Sequence, residues 1–322
     1  MDRRQYLRTG FSLACCSVIA GCLDEVDAAT GSDDGADVEV TDRTGERALA
    51  RAVGRLNDAA LALEVDDLEE DEGTFDPAEP RELLAAARAY LETAAAELED
   101  DRQPDVDELR AYASVLEALV DVAETVTDDA HEDDVDDVTD AIADGRLEEA
   151  SETVDDLAGT FDRTEKRFDT TESDLESLDA DRLDALSIVD LAEIEAGAST
   201  LGDVLASMVA LVTALESTVE GYECLERGEE RTDAEEYERA TESFLEAREA
   251  FAASTATLED GRADAPTGLE PHFETGLCQN DHLETAADHF VAATEATTDR
   301  DPHTARRRRE DAEAALESVD YC

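Results

Sequence analysis

Cysteine, histidine, arginine and carboxylate positions limit the chemistry this chain can do. His282 and His289 are seven residues apart, two helical turns, so on a helix they share a face with Glu284 and Asp288 nearby. That is half of a weak transition-metal site, and it needs ligands from another helix. Two surface imidazoles is the plainer reading, so no resident metal or other cofactor is expected. The run from Asp128 to Asp137, which contains His131, offers hard oxygen ligands to Ca²⁺ or Mg²⁺. It lacks the glycine turn and bidentate Glu spacing of a dedicated calcium loop and reads as a solvated helix face. Arg306–Arg309 fan over about 300° of a helix, too wide for one patch. Arg308 and Arg309 fall in phase with Ala305, Ala312 and Leu316, which points them at the carboxylates of a neighbouring helix.

Three cysteines lie in the body of the chain: Cys224, Cys278 and Cys322. If 279–297 and 303–320 form a hairpin, Cys278 and Cys322 meet at one end and can pair where oxidation permits. Cys224 with Cys278 is the competing pair. Nucleotide and hydrolase signatures do not occur. The single lysine, Lys166, follows no glycine-rich loop, there is no G-x-S-x-G, and His131-Glu132-Asp133-Asp134 lacks the second histidine of a zinc-protease helix. The expectation is a chain that is not an enzyme.

Charge narrows the classes further. With 88 acidic residues against 26 Lys plus Arg, the 322-residue chain carries a formal net charge of −62. A nucleic acid would be repelled by such a surface. No apolar run approaches the length of about 18 residues that a multispanning protein would repeat. Acidic chains are often disordered, but here the large apolar residues recur in phase. The alternative is a folded protein working in concentrated salt, where the Debye length falls to about 3 Å near 1 M and self-repulsion is screened. One lysine beside so many acids resembles the proteome bias of extremely halophilic archaea.

The N-terminus differs from the rest. Arg3-Arg4-Gln5-Tyr6-Leu7 followed by an apolar stretch resembles a twin-arginine export signal, and Ile19-Ala20-Gly21-Cys22 resembles a lipobox. The resemblance covers residues 1–22 and implies a lipoprotein exported folded and held by lipid on Cys22 at the extracytoplasmic face of the membrane. Residues 23–43 are acidic and aperiodic, a flexible tether that spans roughly 25 Å on average.

Beyond it the spacing is helical. Leu147, Ala150, Val154, Leu157, Phe161, Thr164, Phe168, Thr171, Leu175 and Leu178 step by three and four. So do Leu201, Val204, Met208, Leu211, Leu215, Thr218, Tyr222 and Leu225, and again Tyr237, Ala240, Phe244, Ala247, Phe251, Ser254 and Leu258. This average of 3.5 belongs to antiparallel helices crossing near +20°. The fold class expected is all-α: long helical hairpins forming a bundle or array. Helices are predicted near 44–66, 80–100, 105–127, 132–143, 146–178, 181–196, 199–229, 232–258, 279–297 and 303–320. Thr232-Asp-Ala-Glu235 supplies a capping-box spacing for the eighth. A soft division near 169–181 separates an N-terminal bundle, 44–178, from a C-terminal one, 179–322, and 259–278 is predicted irregular.

Tyr237, Ala240, Phe244 and Ala247 resemble the tetratricopeptide repeat in order, as do Leu283, Ala286, Phe290 and Ala293. The resemblance is confined to 230–320, and the alanines of successive matches are not 34 residues apart, as that repeat requires. The function expected is a non-catalytic, lipid-anchored binding or scaffolding module for envelope proteins, with an unknown protein partner. The alternative is a helical receptor for a metal ion or small solute associated with a transporter.

Overall fold

The computed structural model describes residues 43–63, 75–128, 130–188 and 191–322. Residues 1–42, and with them Arg3, Arg4, Cys22 and nearly all of the tether, lie outside the described residues. Among those described, ten α-helices and no strand occur: α1 Thr44–Leu63, α2 Ala78–Glu97, α3 Gln103–Val126, α4 Ala130–Ala143, α5 Leu147–Glu176, α6 Ala180–Ala185, α7 Leu191–Asp233, α8 Tyr237–Arg262, α9 Glu270–Thr298 and α10 Pro302–Ser318. The fold is all-α, with helices packed on one another as a bundle. α1 packs on α2, α5 on α3, α4 and α7, and the series α7, α8, α9 and α10 pack each on the next.

The stripes read from the sequence are the buried faces of most helices. In α5, Leu147, Ala150, Val154, Leu157, Phe161, Thr164, Phe168, Thr171 and Leu175 are all buried. In α8, Ala240, Phe244, Ala247, Phe251, Ser254 and Leu258 are buried, and Leu283, Ala286, Phe290 and Ala293 are the corresponding line on α9. Phe244 and Phe290 stack across that interface with centroids 4.9 Å apart.

One turn joins three of the hairpins. At Gly145, Glu235 and Arg300 the backbone is left-handed, with φ of 71°, 60° and 62°. In each, the next residue's N–H reaches back to the carbonyl five positions earlier: Arg146 to Ala141 at 2.8 Å, Glu236 to Arg231 at 2.8 Å, Asp301 to Ala296 at 2.9 Å. These are Schellman caps, which satisfy the last carbonyls of one helix and start the next at once. Thr232 is therefore the end of α7, its hydroxyl donating to the Gly228 carbonyl at 2.8 Å, and not the cap of α8. Asp301 does cap α10, accepting from the Thr304 N–H at 3.1 Å.

Two boundaries differ from expectation. The two helices predicted over 181–196 and 199–229 are a short α6 and one continuous 43-residue α7. Gly197, Ser199 and Thr200 look like a break by propensity, but packing on both sides overrides propensity. The stretch 259–278 is mostly helical, because α8 runs to Arg262 and α9 starts at Glu270 with Pro271 in its first turn, where a missing N–H costs nothing. Within the predicted soft division near 169–181, α5 ends at Glu176 and α6 starts at Ala180.

The α7 stripe was also misplaced. Of the series from Leu201 to Leu225 only Leu225 is buried; the buried positions include Leu205, Val212 and Val219 in one line and Ser207, Ala214, Gly221 and Gly228 in another. A helix with neighbours on two sides needs two seams. The second seam is made of small residues so that α8 can approach closely. An added Cβ at Gly221 would stand 2.2 Å from Phe251 Cε1, and one at Gly228 would stand 2.4 Å from Phe244 Cε1. α7 is the one described helix long and apolar enough to cross a membrane by length and composition, with a window of mean hydropathy 1.7 that is 28% buried.

The bundles expected over 44–178 and 179–322 share α7. Ile194, Ala198, Leu205 and Val212 join a large core with α1, α2, α3, α5 and α6. Cys224 and Leu225 join a second core with α8, α9 and α10. Between these cores a polar knot sets register: Thr218 Oγ1 meets Ser254 Oγ at 3.0 Å, Ser254 donates to the Ala214 carbonyl at 2.9 Å, and Asn280 Nδ2 donates to the Gly276 carbonyl at 3.0 Å.

Candidate functional site

Two places gather groups with chemical potential. The first is an open groove where the start of α5 faces the C-terminal half of α7. It has a volume of about 390 Å³ and is lined by Leu147, Glu148, Ser151, Glu152, Glu223, Glu226, Arg227 and Glu230. The Schellman turn at Gly145 positions Glu148 and Glu152 on the first turns of α5, where carboxylates favour the helix dipole. The cations at the groove are already engaged: Arg227 bonds Glu246 at 3.1 Å, and Arg146 pairs with Glu149 and Asp144. The free carboxylates give the groove a negative field suited to a cationic or hydrated-ion ligand.

Acidic crowding continues along α7. Burial pushes the Glu216 carboxyl up, with Asp155 adding to it. Glu229 is also raised, chiefly by desolvation, with Arg309 opposing and Asp233, Glu313 and Glu226 reinforcing. Arg309, exposed on α10, is close enough to Glu229 of α7 for its charge to oppose that rise. Arg308 instead stands 3.6 Å from Asp311 on its own helix.

The second place is the corner where the C-terminus meets α9. Cys278 and Cys322 are joined as a disulfide with Cα atoms 5.8 Å apart. The alternative pair, Cys224 with Cys278, is not formed; Cys224 is a buried free thiol in the second core, and burial raises its pKa. His282 lies one turn beyond Cys278, and its ring belongs to this corner: ligand atoms of Cys278, His282 and Cys322 all fall within 4.8 Å of one another. His289 faces elsewhere, with Nδ1 3.5 Å from Arg308 Nη1. The two histidines of the weak candidate half-site are therefore divided between different surroundings, and a guanidinium beside one of them opposes a cation there. Sequence reasoning paired Cys278 with Cys322 but missed that His282 shares their corner, although the four-residue step from Cys278 to His282 was its signal.

His131 also departs from its reading as part of a solvated face. Its ring packs on Phe161 at 5.0 Å between centroids, and its buried nitrogens make no hydrogen bond among the described residues. Asp134 Oδ2 stands 3.9 Å from Nδ1.

Fold and groove together define an all-α helical bundle with an acidic, open groove. No family model, curated protein or solved structure matches the chain.

Proposed function

We propose that the chain is an exported lipoprotein, held by lipid on Cys22 at the outer face of the membrane, whose helical body is a non-catalytic binding or scaffolding module for other envelope proteins. The twin-arginine and lipobox motifs of residues 1–22 support the address. The observation that carries the binding reading is the hairpin array itself: α7, α8, α9 and α10 lie side by side, and large apolar side chains are spent on helix contacts. Exposed carboxylates line α8 (Glu238, Glu242, Glu249), α9 (Asp281, Asp288, Glu295) and α10 (Glu310, Glu313, Glu317), an acidic platform of the kind on which helical arrays receive other proteins. Affinity capture from membranes in molar salt tests it. Wild-type protein should retain a discrete envelope protein, and a Glu148→Gln/Glu152→Gln/Glu226→Gln variant should lose it or bind it more weakly. Capture of nothing by the wild type, or of the same partners by an Arg3→Lys/Arg4→Lys chain retained in the cytosol, contradicts the reading.

The groove favours a second reading, a receptor for a small solute or metal ion working with a transporter. Its volume of about 390 Å³ lies in the range of small-molecule sites. A stoichiometric cationic ligand co-purifying with untagged protein would favour this reading over the first.

A further inference from the structure

We infer that Cys278, His282 and Cys322 form a zinc(II) site when the Cys278–Cys322 disulfide is reduced. Three ligand atoms already lie within 4.8 Å of one another. A tetrahedral zinc with Zn–S of about 2.3 Å and Zn–N of about 2.0–2.1 Å needs its ligand atoms about 3.6–3.8 Å apart. Cysteine Cα atoms 5.8 Å apart let the two sulfurs reach that spacing by side-chain rotation once the bond between them opens.

The backbone holds the arrangement from two directions. Cys278 and His282 are four apart on α9, so both project from one face of a long helix. Cys322 follows the short 3₁₀ turn Val319–Tyr321, its N–H donating to the Val319 carbonyl at 3.3 Å. That turn packs against α9 and α10, with Val319 on the second core. Both cysteines are exposed and His282 is half-buried, which leaves a fourth coordination position open to water.

Ligand chemistry distinguishes this corner from the rest of the surface. The chain carries 88 acidic residues, and exposed carboxylates hold hard cations such as Ca²⁺ or Mg²⁺ loosely. Two thiolates and an imidazole select a softer ion. Disulfide and metal are alternative states of one corner. A dithiol reductant passes two electrons and two protons to the Cys278–Cys322 bond and closes to its own cyclic disulfide. Each thiol then loses its proton to solvent as zinc binds both sulfurs and the unprotonated ring nitrogen of His282. The site rests on neither reading of the protein's function.

Cobalt(II), which gives thiolate charge-transfer absorption in place of silent zinc, is the probe. Full-length protein is reduced with a dithiol, freed of reductant without oxygen, and titrated with Co²⁺ in molar salt, with helicity followed by circular dichroism. The reduced chain should develop thiolate–cobalt absorption that saturates stoichiometrically and is abolished by Zn²⁺, while the oxidised chain shows none. His282→Ala keeps the disulfide in the oxidised form and should weaken reduced-state binding by more than the about 10–100-fold that loss of a residue merely supporting a ligand costs. Cys278→Ser/Cys322→Ser, which leaves Cys224 in place, should abolish the band. No thiolate band in the reduced wild type, whether folded or not, overturns the site, and so does a band unchanged in either variant.

Discussion

Gly221→Ala tests whether α7 and α8 meet along a seam of small residues. The new Cβ would lie 2.2, 2.6 and 2.7 Å from three atoms of the Phe251 ring, where ordinary carbon contact begins near about 3.5 Å. Phe251 must move by about 1 Å, yet it is fully buried, with Tyr222 edge-on at 5.8 Å. Forcing such a shift in a packed core costs about 1–3 kcal/mol. Alanine recovers about 0.8–1 kcal/mol of helix propensity over glycine, so the net expectation is a loss of about 0–2 kcal/mol. Gly159→Ala on α5, where nothing lies within 4 Å, keeps the propensity gain alone and should stabilise by about 1 kcal/mol. The two variants should therefore differ by about 1–3 kcal/mol, read from urea unfolding in molar salt with m unchanged. Adding Phe251→Leu to Gly221→Ala should recover part of the loss, a coupling of about 0.5–3 kcal/mol. If Gly221→Ala stabilises as much as Gly159→Ala, and Phe251→Leu shows no coupling, the seam does not exist and the α7–α8 packing is wrong.

Other consequences follow from charge, turns and the disulfide. With a net charge of −62, the melting temperature should rise steeply between low and molar salt; a flat profile contradicts the salt-adapted reading. Glu229 has a folded pKa above its unfolded one, so its favourable contribution is complete below the unfolded pKa and is lost as pH rises through the folded pKa. Glu229→Gln should accordingly stabilise the protein at neutral pH and flatten the acid side of the stability–pH curve; destabilisation at neutral pH would contradict this sign. Glu235→Gly and Arg300→Gly remove left-handed strain at φ of 60° and 62° and should each stabilise by about 1 kcal/mol in the same urea assay, whereas a loss would place those caps elsewhere. Peptide mapping without reduction should recover Cys278 linked to Cys322. Breaking that 44-residue link with Cys322→Ser should cost about 2–4 kcal/mol.

Helix pattern was legible wherever one face of a helix is buried, because apolar residues then mark that face. Leu147 through Leu175 on α5 and Ala240 through Leu258 on α8 show it. It failed on α7, whose two seams spread apolar residues around the helix and whose contact with α8 uses Ala214, Gly221 and Gly228. Those residues carry no hydrophobic signal; their seven-residue spacing was the available clue. The Thr232–Glu235 spacing misled because a helix end and the next helix start share four residues when the turn is a Schellman cap. At the site, Cys278 and Cys322 could be brought together from the hairpin alone. Placing His282 beside them and separating His289 required knowing how α10 lies on α9, which puts Arg308 next to His289. The groove at Glu148 and Glu226 joins residues distant in sequence and needed α5 packed on α7.

The most direct measurement of the proposed role is the mass of the N-terminal peptide from native protein in the membrane fraction. A chain beginning at Cys22 and carrying lipid is the predicted result. An unmodified peptide beginning at Met1, from protein found free in the cytosol, would contradict it.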